Sequence, residues 1–398
     1  MRRKIVFRAL ASGLLATGLV LATAQTVPAA PAAADTLTEI DKSPFQLAEK
    51  DSFAEYQPRV ENLDKLLPKA SFGDVLADAN RDGSDLCKDT GIDGAVGFCW
   101  NDGDDATSEW YPQGISGSWD ADPSGEYEGQ RAMFTSWYHK GDKGARVSLV
   151  DYNDPQAPKY RHLLLVEPTA EDDFAQVKVH AGGIAWVGDY LYVVDTGWGV
   201  RVFDLNHLWQ TEADPDKNQI GKGSDGKYYA YDYRYVLPQV GSFTQDEKGS
   251  CNPPPSNQDA PLCFSWVGLD RSTSPASLLT GEFFYEQEPG GRMARWPLDP
   301  NTGKLQGENG VTKPENVYAS PHISMQGGVS ADGTFLMSSS RGQNERGYLY
   351  KAQVDQESSS SRVPEGIEDL SYDPADGHVW SLTEYPNNRA VIGIPNAM

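Results

Sequence analysis

Cysteine and histidine are rare in this chain, four and six among 398 residues, and its 34 basic side chains are far outnumbered by 57 acidic ones. Without a C-x-x-C spacing or a histidine close to the cysteines, a zinc site has no ligand set. The shortage of positive charge leaves a formal net of −23. Such a surface repels phosphate backbones and anionic lipid, which excludes nucleic acid and membrane surfaces as partners. No apolar run reaches the ~20 residues of a membrane span, and helical periodicity is almost absent. The G-x-S-x-G, H-E-x-x-H and P-loop motifs are missing too, so serine-hydrolase, zincin and nucleotide-hydrolase readings lose their warrant. The one G-x-G-x-x-G match, Gly221 to Gly226, follows a polar stretch and leads into Tyr-rich strand sequence. A dinucleotide fingerprint needs a strand before it and a helix after it, so this match reads as a turn.

The N-terminus has the opposite character. Arg2, Arg3, Lys4 and Arg8 precede an apolar run from Ala9 to Ala22, small residues follow, and no acidic residue occurs before Asp35. This is the pattern of a signal peptide over residues 1–34, cleaved after Ala32-Ala33-Ala34, with Ala22-Thr23-Ala24 as the alternative site. Arg2-Arg3 is compatible with twin-arginine export. An extracellular chain meets oxidising conditions, and of three connectivities the local one is expected, Cys87 with Cys99 and Cys251 with Cys263. Closing loops of this size is worth ~2–3 kcal/mol each. Residues 35–113 read as an N-terminal arm, polar at first, with a short helix around Glu61–Leu67.

From residue 114 onward, short apolar or alternating runs are separated by Gly, Asp, Asn and Pro, the mark of many strands. A Gly followed by an apolar residue opens five segments, at Gly114, Gly183, Gly268, Gly328 and Gly366, and each is followed by a second and a third strand-like run. Repeated units of three or four consecutive antiparallel strands are the signature of propeller blades. The expected fold is therefore all-β, a five-bladed β-propeller over 114–398, with a six-bladed propeller as the alternative. The last unit ends after its third strand, so a strand from before Gly114 is expected to complete it and remove the open sheet edge.

Asp78-Ala-Asn80-Arg-Asp82-Gly83, with Asp89 further on, matches the opening of a calcium loop, in which alternate oxygen ligands wrap one hard cation. Ca2+ is the one cofactor the sequence suggests. Elsewhere, blade geometry directs attention to first-strand starts and second-strand ends, which share one face of the disc near its axis. Gln113, His180, Trp266, Gln326 (with His322 a turn earlier) and Glu365 fall at starts, and His139, Asp195, Glu282, Arg341 and Glu384 at ends. Trp137, Tyr138 and Trp198 lie beside them and are able to stack on a flat ligand. His180 and His322, each ahead of a glycine pair, are the candidate proton-transfer residues.

The segments HAGGIAWVGDYLYVVDTGWGVRVFDL (180–205) and PEGIEDLSYDPADGHVWSLTEYP (364–386) resemble blades of secreted bacterial β-propellers of the NHL-repeat, gluconolactonase-like and streptogramin-lyase-like groups, and the whole looks like an actinobacterial secreted propeller. The gluconolactonase-like group implies a metal ligand at a Glu preceding a Gly, which Glu365-Gly366 matches. The streptogramin-lyase-like group implies a channel-face histidine, a role for His180 or His322. The leading expectation is a secreted, monomeric propeller that binds a small polar ligand, sugar or lactone-like, on its axial face. The alternatives are a hydrolase or lyase with a divalent cation on Asp195, Glu282 and Glu384, and a protein-interaction scaffold.

Overall fold

The computed structural model describes residues 36–285 and 290–398, so the signal-peptide reading lies outside the described residues. Five antiparallel meanders follow one another along the chain. The first comprises Trp110–Gly117, Ala132–His139, Ala145–Asp151 and Lys159–Ala170. The second comprises Ile184–Val187, Tyr190–Asp195, Gly199–Asp204 and Tyr235–Thr244. In the third, Trp266–Arg271, Ser277–Gly281, Arg292–Pro297 and Asn316–Ala319 pair in order. The fourth runs through Met325–Ala331, Thr334–Ser339, Arg346–Ala352 and Ser359–Glu365. In the fifth, Ser371–Asp373, His378–Leu382 and Ala390–Pro395 pair in order, and Ala390–Pro395 then pairs with Val96–Cys99 from far upstream. The fold is all-β and propeller-like.

The leading strands of the five meanders touch in cyclic order, each meeting the next and the fifth meeting the first. Five hydrophobic clusters fill the gaps between neighbouring meanders. For example, Trp380, Leu382 and Val391 of the fifth meet Ile115, Met133 and Val150 of the first. Each sheet is thus covered on both faces, which explains why Trp110–Gly117 is buried at every position instead of alternating. Burying a large aliphatic or aromatic side chain contributes ~1.5–3 kcal/mol. The leading strands approach backbone to backbone: a Cβ on Gly183 would sit 2.3 Å from Val267 N, and one on Gly327 would sit 2.5 Å from Asp369 Cα. That contact is the physical reason glycine recurs at these starts. The first and second meanders also join at their rims, where Tyr235–Thr244 pairs in parallel with Lys159–Ala170.

The residues before 114 do not stand apart from the rest. Thr38–Ile40 adds a strand to the third meander, the helix Ser52–Leu66 packs on Tyr235–Thr244, and the expected limit at 113/114 falls inside the strand Trp110–Gly117. The helix is also longer than the sequence pattern indicated. Both disulfides form as expected, Cys87–Cys99 and Cys251–Cys263. The glycine-rich match at 221–226 is a hairpin turn between Ile220–Lys222 and Tyr228–Ala230. No helix among the described residues is long and apolar enough to cross a membrane.

Candidate functional site

Where the leading strands converge, one face carries a cavity of about 870 Å3. Gln113, His180, Ser265, Gln326 and Glu384 supply its polar lining, together with Thr196 and the loop at Cys251 and Asn252. Tyr138, Phe283, Phe284 and Tyr285 supply aromatic walls. Local backbone irregularities aim these side chains. Gln113 and Gln326 each sit where the strand register shifts, between Pro112 and Ile115 and between Met325 and Gly327. A bulge of this kind adds a residue and re-aims its side chain. His180 precedes Ala181, held in the left-handed conformation at φ 53° while its carbonyl accepts a 2.7 Å hydrogen bond from Ser136 Oγ.

Two carboxyls meet under the polar lining. Gln326 Nε2 donates to Glu368 Oε1 at 2.9 Å, Gln113 Nε2 donates to Glu384 Oε2 at 3.1 Å, and the two carboxyl groups hydrogen-bond to each other. Glu368 is buried, and its carbonyl accepts from Ser338 and Ser381 hydroxyls, which fixes the backbone beneath the pair. Burial, and then the neighbouring Glu384 charge, push Glu368 well above the usual carboxylate range; burial raises Glu384 as well. Two like charges in one dry place cannot both ionise cheaply, so the pair keeps a proton at pH values where an isolated carboxyl has lost it. His180 stacks on Tyr138 at 4.3 Å between ring centroids. It lies in a recess walled by protein yet open to water at the mouth, and burial lowers its pKa while raising that of Tyr138 to about 12.

Below the pair, Asp369 plugs the axis. Its Oδ2 accepts from the backbone N–H groups of Ile115 at 3.2 Å and Ile184 at 3.1 Å, tying the first, second and fifth meanders together. Burial drives this carboxyl well above its usual range.

Of the residues expected at the axis, Gln113, His180, Gln326 and Glu384 line the one cavity. The others are placed elsewhere. Asp195 is held by Arg201 Nε at 2.9 Å, one strand over, and Glu282 is clamped by Arg292 at 2.8 and 2.6 Å while also accepting the Cys263 N–H. These carboxylates neutralise the half-buried Arg201 and the buried Arg292 and are not among the residues that line the cavity. His139 turns into a neighbouring groove and accepts the Gly141 N–H. His322 stacks on Tyr350 at 3.7 Å and reaches Ser358 Oγ, and Arg341 donates to the Tyr350 hydroxyl; both belong to an aromatic cluster on the fourth meander. Trp198 is 39% exposed and outside the lining. Glu365 ends an outer strand opposite Arg346, so its likeness to the gluconolactonase-like ligand does not place it at the axis. Trp266 packs in the core with its ring under Gly281.

Three of the four residues of the expected calcium loop engage protein groups. Asp78 meets Arg161 and Arg234 at 3.3 Å each and accepts the Tyr235 hydroxyl, Asn80 accepts from Arg81, and Asp89 caps the Gly91 N–H. Asp82 lies exposed in a two-residue strand. Among the described residues, no three His, Cys, Asp or Glu side chains converge as a metal cage.

Glu368 and Asp369 were not singled out by sequence. Their signal was the acidic pair before Leu370, which occupies the position that Gln326-Gly327 holds in the fourth meander, as the close approach of Gly327 to Asp369 shows.

No family model and no curated protein matches the chain. Among solved structures the chain is similar to a GH43_1 enzyme from Xanthomonas citri complexed with xylotriose, at TM-score 0.35 and 10% identity over 72% of this chain and 87% of that one. It is also similar to the RS223 beta-xylosidase, at TM-score 0.34 and 8% identity over 72% and 92%. A third likeness is to hydrazine synthase from Kuenenia stuttgartiensis, at TM-score 0.28 and 11% identity over 69% and 74%. At these values the likenesses bear on neither site nor activity.

Proposed function

We propose that this chain is an exported five-bladed β-propeller, closed by Val96–Cys99, that binds a small uncharged polyhydroxylated ligand, a sugar or its lactone, in the axial cavity. The observation that carries the reading is the proton-holding pair Glu368–Glu384, flanked by Gln326 and Gln113 beneath aromatic walls. A neutral carboxyl and an amide each donate and accept, which matches hydroxyl groups, while apolar walls bury the rest of a small ligand. No lysine or arginine lines the cavity among the described residues, so it offers nothing to an anionic ligand. The five cyclically touching meanders and the pairing of Val96–Cys99 with Ala390–Pro395 support the blade count and the closure. The leader and the two disulfides support export.

A second reading, a hydrolase or lyase, draws on the opposite pKa displacements of His180 and the carboxyl pair, the pattern that separates a base from an acid. It ranks lower for two reasons. The metal-assisted form loses Asp195 and Glu282 to arginines. Glycoside hydrolysis needs carboxyls on either side of the scissile bond, ~5 Å or more apart, and here they bond directly to each other.

Calorimetric titration with neutral monosaccharides, aldonolactones and a uronate tests the proposal. Saturable binding of a neutral member, lost in Gln113→Ala and Gln326→Ala with folding intact, is expected. Absence of binding across the panel, or binding indifferent to both substitutions, overturns it.

A further inference from the structure

Away from the axis, the outer end of the first meander carries a second pocket of about 230 Å3 that shares no lining residue with the axial cavity. Its charge is the reverse of the protein's. Six cations line it, Arg81, Lys143, Arg146, Arg161, Lys217 and Arg234, in a chain whose net charge is −23. Five carboxylates stand against them. Asp104 pairs with Arg81 and Arg146, Asp78 with Arg161 and Arg234, Asp232 with Lys217, Glu109 shares the lining, and Glu212 acts on Arg234 from further off. The cations still outnumber the carboxylates.

The pocket is also built rather than accidental. Arg146 is 5% exposed and lies over the rings of Trp110 and Trp137 at 4.5 and 4.8 Å. Asp104 accepts from its Nη2 at 2.9 Å, from Tyr160 OH at 2.8 Å and contacts His162 Nε2 at 3.0 Å, while His162 Nδ1 meets Ser148 Oγ at 2.9 Å. This buried Asp–His–Ser series is no hydrolytic triad, because Ser148 is fully buried and its Oγ already accepts from Trp137 Nε1. It fixes the guanidinium instead. Arg146 Nε is nevertheless left without a hydrogen-bond partner, and Lys143 makes no ion pair among the described residues, with only the Tyr231 ring 5.4 Å away. An unspent buried donor is costly, and an oxygen of a bound ligand would satisfy it.

We propose that this pocket binds a dianionic tetrahedral oxyanion, a phosphoryl group, either as free phosphate or as the head of a phosphomonoester. The excess of cations in the lining favours a group that carries a charge of about −2, and several guanidinium groups supply planar donor pairs to its oxygens. Local positive potential, not overall charge, sets the attraction at this distance, since the Debye length at physiological salt is ~8 Å.

The test uses the whole chain after removal of its leader. Inorganic phosphate and a sugar monophosphate are titrated side by side by calorimetry and by melting-temperature shift, against chloride at matched ionic strength. One saturable event with a melting rise that chloride does not reproduce is expected. Equal affinities assign the free ion, and tighter binding of the ester assigns a group carried on a larger ligand. Lys143→Ala weakens either by about tenfold, the loss of one charge-assisted contact, with an unchanged melt in chloride. Arg146→Ala is avoided as the diagnostic variant because it leaves Asp104 buried and underpaired. No saturable binding of either phosphate, or binding that Lys143→Ala and Arg234→Ala both leave unchanged, overturns the proposal.

Discussion

Asp369 lies with one carboxyl oxygen 3.1 Å from the backbone N–H of Ile184, at the point where leading strands of three meanders meet. The same oxygen serves Ile115, while Oδ1 has no partner. This side chain substitutes for the water that would otherwise satisfy two buried amides at the axis.

Asp369→Asn is therefore expected to keep the fold within ~1 kcal/mol, because the amide oxygen still accepts both N–H groups. Asp369→Ala is expected to cost ~2–5 kcal/mol through two orphaned donors and a small cavity. Urea unfolding of the two variants side by side measures the difference, and equal destabilisation by both would refute the role assigned to the oxygen.

The raised carboxyls make stability fall as pH rises above the ordinary carboxylate range. A group whose folded pKa lies above its unfolded value contributes fully below the unfolded pKa and loses that contribution as pH rises through the folded pKa. Stability should accordingly fall on the alkaline side as Glu368 and Asp369 are forced to ionise. Glu368→Gln should flatten that limb, and sugar binding should fade over the same range in the parent protein. Melting curves from pH 5 to 10 check both.

On the acid side, burial and then Arg146 push His162 down to about 3, so the folded protein keeps it neutral. The unfolded chain takes up that proton below ~6.5, and stability is expected to decline from there as pH falls toward the folded value. Burial opposes ionisation of Asp104, but His162, Arg146 and Tyr160 outweigh it, which adds a second loss below the usual aspartate range. A stability profile flat from pH 6.5 to 4 would contradict the neutral histidine.

Glu282→Ala should destabilise by ~3–5 kcal/mol, since Arg292 then stays buried with its charge unmatched. Replacing both residues by methionine should recover most of the loss. Sugar binding in the refolded double variant should equal that of the parent, because the pair does not line the cavity.

Removing the Cys87–Cys99 bridge is expected to cost ~2–4 kcal/mol. Amide exchange should report the loss first in Val96–Cys99 and its partner Ala390–Pro395. Uniform loss of protection across all meanders would argue against a local anchoring role.

The architecture was legible in sequence because backbone-to-backbone packing at the axis demands glycine, and Gly-apolar pairs mark the leading strands of the first four meanders. Gln113, His180 and Gln326 were legible for a related reason, being polar where an apolar strand start was expected, and Glu384 because it follows the end of a second strand. Asp195 and Glu282 misled because their cations, Arg201 and Arg292, sit on the adjacent third strand, and pairing across strands is invisible when strand ends are counted one at a time. Glu368 was missed because Gly366-Ile367 imitates an opening, whereas the fifth meander begins only after the acidic pair. The basic pocket lay beyond reach altogether, since its six cations come from five separate stretches between Arg81 and Arg234.

Val96–Cys99 pairs on one side with the nearby Ser84–Asp85 and on the other with Ala390–Pro395, almost three hundred residues further along the chain. Until Ala390–Pro395 exists, the second hydrogen-bonding edge of Val96–Cys99 stays unpaired and the fifth sheet cannot be joined to its upstream strands. Assembly consequently depends on contacts between distant parts of the chain, which makes folding slow and leaves truncated products with sticky margins.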